Sequence, residues 1–438
     1  MEVPIVNDIA VSQSEARHQA RTVRAGQQAV MGHRRGLRAL LPFLGPSLIA
    51  AIAYVDPGNY ATNIQSGSEY GYRLLWVVVL ANLMAMVIQA LSAKLGIATG
   101  RNLPELCRDH FPRYVNMILW VISEVAAMAT DLAEFLGASL GLNLLFHIPL
   151  LLATLVTGVV TYIILMMQRF GFRPLEIFIG VLLGVIAASY FLETILSRPS
   201  FKSVAVHLVV PWLGGPNSVM LMVGIIGATV MPHAIYLHSG LTQHRIVPKN
   251  SEQAKRIYGF ERLDVIIAMT LAGIVNLAMM YMAAAVFNQS GKTQVADIST
   301  AYHTLDPLLG PAAAGIFLVS LLASGISSSA VGTMAGQLIM QGFVGFSIPV
   351  WLRRIVTMIP TVVIVALGVD PMKTLVLSQV VLSIALPAPL IALVWFTKNR
   401  KLMGPLVNRR WVTVVASGIT VVIIGLNVVY LVSSLGSA

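Results

Sequence analysis

The sequence predicts an all-α membrane protein with eleven transmembrane helices, arranged as two inverted repeats of five helices and one extra helix. Three observations lead to this fold class. The chain of 438 residues is 57% hydrophobic and only 11% charged, whereas a soluble globular protein carries about 25% charged residues. Its apolar runs are long enough to cross a bilayer. Prolines interrupt two of these runs, and the two interruptions lie five helices apart.

The individual helices follow from the length of the apolar runs, because a helix needs about 20 mostly apolar residues to cross the hydrocarbon core. We expect the eighth span to be too long for one straight crossing and to continue into an amphipathic end near residues 341–349. The predicted spans are 45–67, 74–98, 114–140, 148–168, 173–196, 216–240, 260–288, 307–343, 351–369, 373–396 and 411–434.

Basic residues set the predicted orientation. Of the 29 lysines and arginines, all but Arg73, Arg198, Lys202, Lys292 and Lys373 fall on one side of these spans. Cytoplasmic loops carry such an excess, so we expect the N-terminus inside and the C-terminus outside. The net charge of +11 therefore reflects membrane orientation, and no nucleic-acid partner is expected.

The predicted organisation has four parts. Residues 1–40 are expected to form a mostly flexible cytoplasmic tail, 41–200 the first repeat, 211–398 the second, inverted repeat, and 399–438 the additional eleventh helix. The single cysteine, Cys107, excludes a disulfide framework and a cysteine-built metal cluster.

The first interrupted helix reads "YVDPGNYATN" around Asp56. Pro57 has no N–H and Gly58 resists regular helix, so the span should unwind near its middle. Unwinding frees backbone carbonyls, which are costly in lipid unless an ion or water satisfies them. Asp56 adds a charge at that depth, and Asn59 adds a neutral oxygen.

The second interrupted helix reads "GIIGATVMPHAIYLHSG". Pro232 lies in its middle, and Gly224 and Gly227 loosen the preceding turn. An offset of five helices inverts the second copy relative to the first. Paired interruptions of this kind indicate a transporter site at the interface of inverted repeats.

The side chains at the breaks predict the ion. Asp56 and Asn59 supply hard oxygen ligands, and Met231, directly before Pro232, supplies a thioether. The carbonyls of Ala53 and Ala228, one turn before each break, are further candidate ligands. One sulfur among oxygens favours a divalent transition ion such as Mn²⁺ or Fe²⁺ over Mg²⁺ or Ca²⁺.

Two amides are additional candidates, since both lie in the middle of apolar spans. Gln379 in the tenth span is either a ligand or an interhelical hydrogen-bond partner. Gln89 in the second span is the weaker candidate of the two.

The third span carries three carboxylates, Glu124, Asp131 and Glu134. At about 100° per residue they share one face of the helix, and acids within a membrane mark functional sites by default. We expect a proton pathway there, with His233 as a relay and with Arg353 and Arg354 neutralising the acids at the inner end. The alternative for Glu124 is a simple ion pair with an arginine. For His238, a satisfied hydrogen bond is expected.

The motifs "DPGNYATN", "MPHAIYLHS" and "ATDLAEFLGASLGLNLLFHIPL" closely resemble the natural resistance-associated macrophage protein (Nramp) family, over nearly the whole chain from about Leu41. The resemblance implies a leucine-transporter-type fold and a bacterial inner-membrane importer of Mn²⁺ and Fe²⁺, coupled to protons. Magnesium-selective and aluminium-handling relatives lack the methionine. The chain departs from the family at Ile326 and Gln341, where glutamine and glutamate are usual. The family's metal ligands map onto Asp56, Asn59, Met231 and the Ala228 carbonyl, its histidine onto His233, and its third-helix acids onto Asp131 and Glu134.

The predicted function is thus alternating-access uptake of divalent transition ions, with Mn²⁺ or Fe²⁺ as cargo, Cd²⁺ and Co²⁺ as further candidates, and protons as co-substrate. We expect no resident cofactor and a monomer in the lipid bilayer. A passive cation channel and a sodium-coupled amino-acid symporter of the same fold are the alternatives. No phosphate-binding loop, nucleophile elbow or zinc-hydrolase motif indicates an enzyme.

Overall fold

The structure, a computed structural model, describes residues 23–34, 36–167, 172–293, 298–346 and 348–435. Within these ranges every regular element is helical, which agrees with the predicted fold class. Short 3-10 turns lie at Gly71–Leu74 and Gly404–Leu406, and a π turn extends one helix over Ala284–Asn288.

The α-helices are numbered in chain order. They are α1 (Leu37–Leu40), α2 (Pro46–Ala53), α3 (Pro57–Tyr70), α4 (Leu75–Thr99), α5 (Leu103–His110), α6 (Arg113–Phe146), α7 (Leu150–Met166), α8 (Phe172–Ser197), α9 (Phe201–His207), α10 (Pro216–Thr229), α11 (Pro232–Gln243), α12 (Ser251–Ala283), α13 (Ile298–Leu309), α14 (Pro311–Val344), α15 (Val350–Ala366), α16 (Pro371–Ala385), α17 (Pro387–Thr397), α18 (Arg400–Met403) and α19 (Arg410–Leu435).

Both predicted interruptions are present. The first span is divided into α2 and α3, and residues 54–56 between them are not helical. The sixth span is divided into α10 and α11 at residues 230–231. Proline occupies the first position of α3 and of α11, where its missing N–H costs no hydrogen bond.

Three predicted boundaries are wrong. The eighth span starts at Pro311 rather than residue 307, because Gly310 has φ of 91° and separates α13 from α14. With 34 residues, α14 is nevertheless longer than a straight crossing needs, as expected. The far end of α14 stops cleanly at Gly345, which has φ of 85°. The seventh span starts at Ser251 rather than residue 260, since Asn250 caps the helix by accepting from the Gln253 N–H. The tenth span agrees with its predicted bounds, since Pro371–Thr397 is one apolar stretch, although Pro387 divides it into α16 and α17.

The chain is a multi-pass membrane protein. In the described part of the chain, eight helical stretches are long and apolar enough to cross a bilayer. Large apolar side chains such as Val421 and Val432 of α19 are more than half exposed, as expected for a lipid-facing surface. The count of eleven crossings remains a prediction.

The N-terminal region differs from the expected flexible tail. Residues 1–22 lie outside the described residues, but residues 23–30 are helical. Ala29 and Val30 are buried, and the carbonyl of Val30 accepts a hydrogen bond of 2.8 Å from Arg256 of α12. This segment is therefore packed onto the helix bundle.

Glycines let the helices around the first break approach closely. A Cβ on Gly137 of α6 would lie 2.1 Å from the Cβ of Pro57, and one on Gly325 of α14 would lie 2.7 Å from the backbone of Ala138. Because neither glycine has a side chain, α3, α6 and α14 pack together where α3 begins.

Candidate metal site

Asp56 caps the half-helix that begins at the first break. Its Oδ1 accepts hydrogen bonds from the backbone N–H of Asn59 at 2.9 Å and from the Asn59 side-chain amide at 2.7 Å. The carboxylate thus lies at the positive end of the α3 dipole. Its second oxygen, Oδ2, is buried and has no hydrogen-bond partner, so it remains available to a ligand.

Asn59 connects the two breaks. Its amide nitrogen donates to Asp56 Oδ1 and also, at 2.9 Å, to the carbonyl of Ala228 in the last turn of α10. Two acceptor oxygens, one from each interrupted helix, therefore converge on a single donor. If the Asn59 amide rotated so that its oxygen replaced its nitrogen, a cation could bind there to three oxygens. Two of them, from Asp56 and Ala228, are already in position.

Met231 lies at the second break. It is the residue before α11, and its side chain does not cap that helix. Met231 is fully buried, as is Ala228, and Ala53 at the end of α2 is only 1% exposed. The structure therefore places all three at the interrupted segments, where the sequence predicted them.

Gln379 of α16 reaches both breaks. A Cβ on Gly58 would lie 1.9 Å from Gln379 Nε2, and a Cβ on Gly227 would lie 2.1 Å from the Gln379 carbonyl oxygen. The Gln379 side-chain oxygen is buried without a hydrogen-bond partner. Gly224, the other predicted hinge residue, packs against Thr62 of α3.

The predicted proton groups continue from this site into α6. His233, in the first turn of α11, shares a hydrogen bond of 3.0 Å between its Nδ1 and the Thr130 hydroxyl, and its Nε2 has no partner. Asp131 and Glu134 both lie against Gly332 of α14, where a Cβ would be 3.1 Å and 2.5 Å from their carboxylate oxygens. The two acids are 2% and 0% exposed.

The two arginines of α15 lie beyond these acids. Arg354 is buried, donates to the Ser329 carbonyl and to the Ser329 and Thr333 hydroxyls, and lies 4.2 Å from the centre of the Phe135 ring. Arg353 forms an ion pair of 2.9 Å with Glu124. The simple pairing considered for Glu124 is thus present, and the Glu124 side chain is 19% exposed.

A second polar network lies on the other side of α2. His238 contacts Gln89 at 2.8 Å and Glu261 at 3.4 Å, so its hydrogen bonds are satisfied as expected. The Gln89 amide nitrogen donates to the Tyr54 hydroxyl. Both polar ends of Gln89 are therefore used, which leaves it no free group for an ion.

Sequence reasoning missed several residues of the site. Thr130, Gly332 and Ser329 gain their roles only from contacts between distant segments. The small-residue pattern "SSSAVGT" of α14 is the one sequence signal that marks where the acids and Arg354 are accommodated. In the described ranges no three His, Cys, Asp or Glu side chains form a metal-binding cluster. This agrees with a site built from one acid and neutral ligands.

The paired half-helices and the buried polar groups between them define a multi-pass membrane protein with a broken-helix transporter fold. A structure of Mhp1, a nucleobase-cation-symport-1 family transporter, shares this fold with a TM-score of 0.59 at 15% identity, over 89% of each chain.

More specifically, the family model described as natural resistance-associated macrophage protein-like matches residues 47–433. The chain belongs to this family. It is 54% identical to the divalent metal cation transporter MntH of Verminephrobacter eiseniae, over 95% of this chain and 94% of that protein. The manganese transporter of Eremococcus coleocola, crystallised in complex with an aromatic bis-isothiourea substituted compound, superposes with a TM-score of 0.83 at 35% identity, over 90% and 88% of the two chains.

Proposed function

We propose that this protein imports divalent transition metal ions, Mn²⁺ or Fe²⁺, into the bacterial cytosol by alternating access. The observation that carries this proposal is the convergence of Asp56 Oδ1 and the Ala228 carbonyl on the amide of Asn59. Carboxylate and carbonyl oxygens from two interrupted helices meet there in a buried place, as a dehydrated cation requires. The names of its relatives, a divalent metal cation transporter and a manganese transporter, agree with it.

The ligand set supports a transition ion. Asp56, Asn59, the carbonyls of Ala53 and Ala228, and Gln379 would supply oxygens, and Met231 would supply a sulfur. Oxygen ligands alone would serve Mg²⁺ and Ca²⁺ equally well, whereas a thioether improves binding only for softer ions. The same reasoning includes Cd²⁺ and Co²⁺ among the ions that the site accepts.

Proton transport accompanies the metal in this proposal. His233, Asp131 and Glu134 lead away from the metal site, and Arg354, Arg353 and Glu124 continue the series to a carboxylate that is partly exposed. Titratable groups are costly within a membrane, so their presence there indicates a function such as this route. Metal and protons are cargo here, so the function needs neither a catalytic group nor a resident cofactor.

The proposed orientation places the N-terminus in the cytoplasm and the C-terminus outside, on the distribution of basic residues. One chain supplies every proposed ligand, which supports a monomer. The site residues Asp56, Asn59 and Met231 are fully buried. This closure favours a carrier that moves between states over a continuously open channel.

The decisive experiment measures Mn²⁺ uptake into proteoliposomes that contain the purified protein. Asp56→Ala should abolish uptake, because it removes both the charge and the cap of α3. Glu252→Ala is the matched control, since that carboxylate is 78% exposed on α12 and uptake should persist. Normal uptake by Asp56→Ala would show that the break is not the site.

A further inference from the structure

Glu193 of α8 is a buried carboxylate that the proposed metal and proton routes do not use. It is 0% exposed, and neither of its oxygens has a hydrogen-bond partner. No charged side chain of the described residues offsets its burial. An ionised carboxylate without a partner costs far more free energy in such surroundings than a fold can tolerate. Glu193 must therefore be neutral in this conformation, or be neutralised by something bound to it.

The surroundings of Glu193 are aromatic and polar. Tyr190, one turn earlier on α8, packs edge-on against Tyr60 of α3 with ring centres 5.5 Å apart. Both tyrosine hydroxyls are buried and make no hydrogen bond of normal geometry. Glu193 acts electrostatically on both tyrosines. Glu193, Tyr190 and Tyr60 thus form one buried cluster of polar side chains, which we call the outer cluster.

The groups around Glu193 indicate whether a proton or a bound cation neutralises its carboxylate. Helices α2 and α14, which pack against α8, hold no charged residue. From α12, Tyr281 bonds to the neighbouring Thr194, and α3 contributes Tyr60. From α14, the Ser320 hydroxyl donates a hydrogen bond to the Phe317 carbonyl. A single carboxylate faced by hydroxyls offers too few anionic ligands for a divalent ion, whereas one proton neutralises it completely.

The outer cluster is linked to the metal site through Tyr60, which lies one helical turn after Asp56. The charge of Asp56 also acts on Tyr60. A movement of α3 that opens the metal site would shift Tyr60 away from Tyr190, and water that entered between them would hydrate Glu193. Hydration lets the carboxylate ionise, and closure again requires that it be neutral.

We propose that Glu193 is a second proton-binding site, separate from the Asp131–Glu134 route, which takes up a proton whenever α3 closes against α8. This inference rests on the proposed transport function. It makes closure of the site dependent on protons even before any proton reaches His233.

The test compares Mn²⁺ uptake as a function of external pH in proteoliposomes with wild-type protein, Glu193→Gln and Ser189→Ala. Glutamine keeps the shape of protonated glutamate but never ionises. We expect Glu193→Gln to retain uptake at acidic pH and to lose part of its decline as pH rises, up to about tenfold per pH unit for one titrating group. Ser189→Ala, a buried change on the same helix, should keep the wild-type pH profile.

Infrared spectra of the purified protein supply a readout that does not require transport. The carbonyl band of a protonated carboxylic acid should be weaker in Glu193→Gln than in the wild type. An unchanged band overturns the proposal even if the variant does not transport, as does a wild-type pH profile in a variant that does. Uptake that Na⁺ stimulates in the wild type but not in Glu193→Gln would also overturn it, because a metal cation would then neutralise the site. Failure of the wild type to take up Mn²⁺ would instead contradict the transport function and leave the infrared test intact.

Discussion

At the scale of single residues, Gly58 is important because it has no side chain. A Cβ there would lie 1.9 Å from Gln379 Nε2 and 2.9 Å from Asp56 Oδ2. Gly58→Ala should therefore displace Gln379 and lower the affinity for Mn²⁺ by about tenfold or more, equivalent to about 1.4 kcal/mol. Isothermal titration with Mn²⁺ measures this change. Gly425→Ala on α19, where a Cβ meets nothing within 4 Å, should bind as the wild type does, and equal affinities for the two variants would contradict the argument.

Met231 provides the test of selectivity. Its sulfur favours softer ions, and the other proposed ligands do not distinguish Mn²⁺ from Ca²⁺. Met231→Ala should therefore relax discrimination against Ca²⁺ more than it reduces Mn²⁺ uptake. Competition of Ca²⁺ with Mn²⁺ in proteoliposomes measures the effect. If Ca²⁺ remains excluded, the sulfur does not determine selectivity.

The residues that could be predicted from the sequence are those whose role is local. Asp56, Pro57 and Asn59 follow one another, so the break, its cap and its oxygen ligand are visible in one short motif. Gln379 remained undecided between two roles because its position against Gly58 and Gly227 depends on how α16 packs. For Glu124 the sequence leaves open a pathway role and an ion pair with an arginine, and only the packing of α15 against α6 identifies that arginine as Arg353.

At the scale of elements, several side-chain contacts hold the start of α2, which is the end of this half-helix away from the break. The Ser47 N–H donates to Asp264 Oδ2 at 3.1 Å, and the Ser47 hydroxyl lies 3.4 Å from His238. Arg245 pairs with Glu176 and contacts the carbonyls of Pro42 and Leu44 at 3.4 Å. These contacts fasten the start of α2 to α8, α11 and α12, so we expect them to resist a displacement of α2 that opens the site on that side.

Asp264→Ala tests this fastening. It leaves the buried Ser47 N–H without its acceptor, at a cost of about 1–3 kcal/mol, and should shift the population towards states with α2 displaced. Thiol labelling of Ile49→Cys in a Cys107→Ser background measures the shift, because Ile49 is fully buried here. Labelling should be faster by about tenfold for each 1.4 kcal/mol. With Glu252→Ala as the control, equal labelling rates would mean that Asp264 does not hold α2 closed.

Element boundaries were predicted less well than element types, for reasons that the structure makes plain. The apolar pattern runs through Gly310, and only the positive φ of that glycine ends α13 and starts α14. Likewise, α12 begins in a polar stretch that a hydropathy criterion cannot assign to a membrane helix. Its start is fixed by the cap at Asn250.

At the scale of the whole molecule, metal and proton groups occupy different sides of the same break. The proposed ligands lie between α3, α10 and α16, whereas Asp131 and Glu134 lie between α6 and α14. His233 bridges the two, since it follows Met231 closely in sequence and contacts Thr130 of α6. In the proposed mechanism a proton therefore leaves along α6 without passing through the ion, which keeps two positive charges off one route.

Because the proposed proton groups and metal ligands are separate, changes to the acids should affect proton coupling and metal binding differently. Asp131→Asn and Glu134→Gln keep side-chain size and remove titration, so both should weaken the pH dependence of Mn²⁺ uptake, by up to about tenfold per pH unit. Affinity for Mn²⁺ should change much less, because among the described residues the hydrogen bonds of Asp56 Oδ1 and the Ala228 carbonyl come from Asn59 and from neither acid. Uptake against external pH and isothermal titration with Mn²⁺ measure the two effects separately in each variant. A collapse of metal affinity with the pH profile unchanged would make these acids ligands, and metal and proton would then share a single route.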